Sequence, residues 1–245
     1  MAKARKGLLL SLLTLLIAVA ITATSTFAWF VVNKEVTASN MQIEVKSDTT
    51  YLVISETNTT GMLDTLTDTS KSLTAQNAKV LPVRYNAEGS GETKWEYTSG
   101  TAYDNGAKNS EANWSVVSAE NVDKYTVKYT FYVGLTTTTA LPAKNLIVKS
   151  LKATALDGED AKFLPAVSVM VQCGETCLNF ADVNTNSSVG SSAILSPTVA
   201  KGQVYQIDAY VYINGDNSVV KSSNAANLGK FTLTMKLGVT PGSDA

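Results

Sequence analysis

Between Tyr125 and Leu135 the chain alternates without a break. Tyr125, Val127, Tyr129, Phe131, Val133 and Leu135 share one side, while Thr126, Lys128, Thr130 and Tyr132 share the other. Successive side chains of an extended strand point to opposite faces, so a period of two describes a strand with one apolar and one wet face and excludes an amphipathic helix. Strands wetted on one side belong to antiparallel sheets. The run from Asp123 to Leu135 exceeds the usual strand length of about five or six residues, which predicts a bend or bulge, with Gly134 the natural place for it.

The same period recurs along the chain. Met41, Ile43 and Val45 alternate with Gln42, Glu44 and Lys46; Tyr205, Ile207, Ala209, Val211 and Ile213 alternate with Gln206, Asp208, Tyr210 and Tyr212; Phe231, Leu233, Met235 and Leu237 alternate with Thr232, Thr234 and Lys236. Tyr51 to Ser55, Asn145 to Ala153 and Ala166 to Val171 read as further strands. Val80 to Arg84 reads as an edge strand, because Pro82 has no N–H to give to a ladder. Ser72 to Lys79 suits a turn or two of helix and Ser222 to Leu228 a short helix or loop crossing the end of a sandwich, and no sustained helical stripe occurs. The expectation is an all-β protein, a two-sheet antiparallel β-sandwich in which jelly-roll and immunoglobulin-like strand orders both stay open.

Ahead of this domain lies a different composition. Lys3, Arg5 and Lys6 make a basic head, Leu8 to Ile21 is uncharged and apolar, and Thr22 to Ala28 is rich in small residues. That order is the grammar of an export signal, with cleavage after Ala28. A retained membrane anchor is a second reading, since Gly7 to Val32 carries no charge and a span needs about 20 apolar residues. Either way the basic head places the remainder of the chain outside the cell. A third reading is a pilin-type leader cut after Gly7, although Leu12 stands where the usual bacterial version has Glu. The expected division is a signal or anchor segment 1–28, an N-terminal segment 29–40 and a β-sandwich domain 41–245.

Charge and histidine content narrow the chemistry. The net charge is −1 and there are no histidines, so there is no basic footprint for nucleic acid, and both Ser-His and HExxH chemistries are absent. No catalytic residue, metal site or cofactor is expected, and membrane contact is expected only through the N-terminal segment. Asp157, Glu159 and Asp160 surround a glycine, and Asp104 and Asp216 sit in similar clusters, but none has EF-hand spacing; all read as turns.

The two cysteines, Cys173 and Cys177, lie in Gln172-Cys-Gly-Glu-Thr-Cys-Leu178. In an exported chain so close a pair reads as a disulfide across a hairpin neck with a three-residue turn. Redox motifs have the shorter Cys-x-x-Cys spacing. Trp95, Tyr97, Tyr103 and Trp114 crowd the polar, glycine-punctuated stretch Asn86 to Asn113, in which Asp104-Asn105-Gly106 is turn chemistry for a small hairpin. Two readings of the four aromatics are open: side chains that pin a long loop, or a stacking patch for a glycan.

Thr26-Phe27-Ala28-Trp29-Phe30, Asn33-Lys34-Glu35-Val36 and Ala38-Ser39-Asn40-Met41-Gln42-Ile43 together resemble the start of the TasA and camelysin family of exported fibre proteins of Gram-positive bacteria. More loosely, Tyr205 to Gly215 is similar to a Y-x-Y-x-x-G strand of clostridial surface proteins. The first resemblance covers about twenty residues around the cleavage site, a count set against a domain of ordinary size. It implies an extracellular location and a structural subunit of a fibre, pilus-like filament or biofilm matrix, its partner a second copy of itself. It further implies donor-strand insertion of the N-terminal segment, with Trp29, Phe30, Val32 and Val36 filling a groove in the next subunit. Camelysin's reported metalloprotease activity does not carry over to a chain without histidine. The alternative function is a membrane-anchored or secreted adhesin that binds cell wall, glycan or host surface through the Glu88 to Trp114 stretch.

Overall fold

The alternating runs become strands, and the polar stretches between them become connections. The computed structural model describes residues 38–45, 52–58, 70–73, 80–87, 94–97, 103–104, 107–108, 114–136, 143–156, 161–183, 187–188, 193–220 and 231–241. Strands β1 (Ala38–Val45), β2 (Leu52–Ser55), β3 (Ser70–Leu73) and β4 (Arg84–Tyr85) are followed by β5 (Trp95–Tyr97), β6 (Tyr103–Asp104), β7 (Ala107–Lys108) and β8 (Ser115–Val116). A 3-10 helix, Ala119–Lys124, leads into β9 (Thr126–Leu135) and β10 (Ala143–Ala155); a second, Ala161–Ala166, precedes β11 (Val167–Cys173). Strands β12 (Thr176–Phe180), β13 (Ser187–Ser188), β14 (Ile194–Ser196), β15 (Val204–Ile213) and β16 (Phe231–Pro241) follow.

The protein is all-β, with its strands in mostly antiparallel sheets. One large sheet has the order β13-β10-β16-β1-β3, with β14 also on β10, and the other has the order β12-β11-β15-β9-β2. The apolar halves of the alternating runs from both sheets join one buried cluster. Phe131 and Val133 of β9, Ile207 and Val211 of β15, Leu233 and Met235 of β16 and Met41 and Ile43 of β1 all belong to it. Each such side chain, fully removed from water, contributes about 1.5–3 kcal/mol.

Several features differ from the sequence reading. Strand β9 runs through Gly134 without a bulge, in unbroken register with both β15 and β2. Its alternation never changes phase, so no extra residue is required. In β10 the apolar residues do change phase, from Leu146 and Val148 to Leu151 and Ala153, and there the register shifts between Val148 and Ser150. The bulge keeps both halves of the strand facing the core. Tyr125 also leaves the strand and caps the 3-10 helix, its N–H bonding to the Val122 carbonyl at 3.0 Å.

Ser72 and Leu73 belong to β3, paired antiparallel to β1, rather than to a helical turn. Of the expected edge strand Val80 to Arg84 only the end is paired: Val83 forms a parallel bridge with Asn214, its N–H bonding the Ile213 carbonyl at 2.9 Å, and β4 begins at Arg84. A further difference concerns direction. Strand β1 pairs with β16 in parallel, from Ala38 opposite Phe231 to Val45 opposite Leu237. Among the described residues β1 begins at Ala38, within the stretch 29–40. Among the described residues no helix is long and apolar enough to cross a membrane.

A three-stranded sheet, β4-β5-β8, lies against the outer side of the second large sheet. Its Val83, Trp95 and Val117 neighbours pack with Met170 of β11 and Tyr212 of β15, forming a second apolar cluster. That cover explains why β11 is buried on both sides, Ser168 and Met170 included.

Candidate functional site

Strand β5 brings Trp95 down onto the tyrosines of the sheet beneath. The Trp95 ring is 4 % exposed and meets Tyr212 edge-on at 4.9 Å and Tyr85 edge-on at 5.2 Å, with Tyr210 at 6.0 Å. Edge-to-face contacts set the positive rim of one ring against the negative face of another. Tyr212 is held from its other end, its hydroxyl donating to Asn179 Oδ1 at 2.8 Å. Burial pushes the Tyr212 phenol up to about 12. Tyr85 is likewise pushed up to about 12, first by burial and then by the neighbouring Cys177 thiol.

A polar clamp holds the small sheet in place. Arg84 donates from Nε and Nη2 to Glu96 Oε2, both at 2.6 Å, and Asn86 Nδ2 donates to Glu96 Oε1 at 2.9 Å. Burial alone would raise the Glu96 carboxyl, but the hydrogen bonds from Asn86 and Arg84, with the latter's charge, hold it below the usual carboxylate value. The Arg84 guanidinium also lies 4.1 Å from the centroid of the Trp114 ring. A Cβ on Gly215 would stand 3.5 Å from that ring and from Pro82, so the tryptophan rests close on the backbone there.

Where the first 3-10 helix crosses the edge of this assembly, a groove of about 360 Å³ opens between Trp95, Val122, Asp123, Thr126, Lys128 and Tyr210. The Thr126 hydroxyl donates to the Val122 carbonyl at 3.1 Å, tying the helical wall to β9. Lys128 Nζ stands 3.1 Å from Asp208 Oδ2 and 5.3 Å from the centroid of the Tyr210 ring. Asp208 is itself fixed by Thr130, whose hydroxyl donates to Oδ1 at 2.6 Å. Burial would lower the Lys128 ammonium, but its hydrogen bond to Asp208, the neighbouring Tyr210 and the Asp208 charge raise it, so it stays protonated. Asp123, on the exposed side of the helix, makes no hydrogen bond or ion pair with another described residue.

The four aromatics singled out in the sequence divide between packing and periphery. Trp95 is core; Tyr97 lies 5.5 Å from Tyr125 at the cluster's margin; Trp114 supports Arg84. Tyr103 stands in β6, paired with β7 in the expected hairpin, and its side chain lies outside the described residues. The groove takes Trp95 alone from that set. Lys128, Asp208 and Tyr210 were hidden on the polar sides of strands, where nothing local marks a site, and only the pairing of β9 with β15 brings them together.

The expected disulfide is overturned. Cys173 and Cys177 are free thiols, because the hairpin turns on two residues, Gly174 and Glu175, instead of three. Cys173 pairs with Thr176 and Gln172 with Cys177. Gly174 has φ +57, the left-handed conformation that such a turn favours and glycine adopts without strain. Burial raises the Cys173 thiol.

Trp29, Phe30, Val32 and Val36 lie outside the described residues, as do Asp157, Glu159 and Asp160. Asp216 sits in a turn, its N–H bonded to Asn214 Oδ1 at 3.0 Å. Among the described residues no three His, Cys, Asp or Glu side chains gather as a metal site. No family model, curated protein or solved structure matches the chain.

Proposed function

We propose that this chain is an exported structural subunit, a two-sheet β-sandwich that assembles into an extracellular fibre by lending its N-terminal segment to a neighbouring copy. The observation that carries this reading is the seat of β1, held between β16 and β3 in the interior of a large sheet. Ala38, which follows the candidate donor segment in the sequence, is thereby fixed in the sheet. A segment tethered in that way has a fixed point of exit, and Phe30, Val32 and Val36 have the alternate apolar spacing that strand addition to another chain requires. Trp29 adds a large anchor at the tip.

Two versions of the protein test this, one starting at Trp29 and one starting at Ala38, which leaves β1 whole. Negative-stain electron microscopy under identical conditions is expected to show regular filaments from the first and monomers from the second. Monomers from both, with near-ultraviolet circular dichroism showing that both are folded, would sink the assembly reading.

A further inference from the structure

We propose that the groove between the first 3-10 helix and the β9–β15 ladder binds a neutral pyranose sugar. Its volume of about 360 Å³ falls in the lower part of the range of roughly 300–1,000 Å³ that small-molecule sites occupy. Its walls carry the two kinds of surface that a sugar ring needs. Tyr210 and Trp95 contribute apolar ring wall for the C–H groups of the sugar, while Asp123 and Lys128 offer an acceptor and a donor for hydroxyls. Charged hydrogen-bond partners of this kind form the shorter and stronger bonds.

Charge decides against other ligands. Lys128 already occupies the place over the Tyr210 ring that a ligand cation would seek, so a cation entering the groove meets an ammonium. An anion meets the Asp123 carboxylate, which no described residue neutralises. A neutral polyol uses both groups without repulsion. The site is also built before the ligand arrives: Thr126 ties the helix to β9, and Asp208, held by Thr130, fixes Lys128. Groups immobilised in advance lose less freedom on binding. Because β1 and β16 belong to the other large sheet, this inference stands or falls apart from fibre assembly.

The test titrates the full-length protein with cellobiose, lactose and N,N′-diacetylchitobiose, with sorbitol as an acyclic polyol, following amide shifts by NMR and tryptophan fluorescence. The expected result is saturable binding of at least one disaccharide, with shifts centred on Asp123, Lys128 and Tyr210, and no saturation by sorbitol. Asp123→Ala removes an exposed carboxylate without a structural partner, and is expected to weaken binding roughly tenfold, the effect of losing one charged hydrogen bond. Tyr210→Leu, which keeps apolar bulk but not the flat ring, is expected to weaken it similarly. Absence of saturation by all three disaccharides, sorbitol binding as tightly as the sugars, or unchanged affinity in Asp123→Ala would each overturn the proposal.

Discussion

Cys173 and Cys177 stand on opposite faces of the hairpin formed by β11 and β12, the first in the main core and the second against the tyrosine cluster. The two thiols are therefore expected to react as strangers. A thiol reagent added to the native protein should label the half-exposed Cys177 first and reach the buried Cys173 only on unfolding, which peptide mass mapping reads directly. Oxidation should not remove two hydrogens from the monomer's mass. Recovery of an intramolecular Cys173–Cys177 bridge from native protein would contradict the two-residue turn.

Replacing Trp95 with alanine removes the ring on which Tyr85, Tyr210 and Tyr212 converge. Large aromatic-to-alanine changes in a core cost about 3–5 kcal/mol, and denaturant unfolding should show a loss of that order. Near-ultraviolet circular dichroism should fall as the aromatic contacts go, and the neighbouring groove should lose its wall. Trp114→Phe keeps a ring under Arg84 and should cost far less.

The Arg84–Glu96 clamp makes a prediction for acid. Because the folded state holds the Glu96 carboxyl below its ordinary value of 4.5, its contribution is complete above the unfolded pKa and is lost as pH falls through the folded one. Wild type and Glu96→Gln should thus differ most in thermal midpoint near neutrality and converge as the pH falls below about 4. A midpoint gap that stays constant across that range would show that the charge of Glu96 does no work there. Arg84→Met, which leaves the carboxylate without its cation, should destabilise by about 1–3 kcal/mol at neutral pH.

The tyrosines make the opposite prediction for alkali. Tyr85 and Tyr212 have folded values raised from 10.0 to about 12, and burial raises Tyr129 as well. A raised phenol contributes stability that is whole below the unfolded pKa and is lost as pH climbs toward the folded one, because the unfolded chain sheds its protons first. Stability should decline from about pH 10 upward. Tyrosinate absorbance should rise in two stages, exposed phenols early and buried ones together with unfolding, and a single early stage would refute the burial.

What the sequence disclosed and what it withheld follow from the range of the forces involved. Alternation is local, so β9, β15 and β16 were legible within one to three residues of their ends from Val127, Ile207 or Leu233 and their neighbours alone. The phase change in β10 was also present in the order of Leu146, Val148, Leu151 and Ala153, and a reading attentive to parity would have found the bulge there. The turn at Gly174 was harder: Cys-x-x-x-Cys spacing invites a bridge, and only the pairing register shows the two side chains on opposite faces. The groove was illegible for a deeper reason. Lys128, Asp208 and Tyr210 each occupy an unremarkable solvent-side position, and their meeting depends on which strands become neighbours, a property that one strand's sequence does not contain.

The parallel pairing of β1 with β16 also sets an order of events. One side of β1 pairs with a strand that begins only at Phe231, so a polypeptide emerging from the ribosome N-terminus first cannot complete its larger sheet until β16 has followed. Contacts closed over such a distance form late and slowly. Until then Met41 and Ile43 have no finished interior to enter.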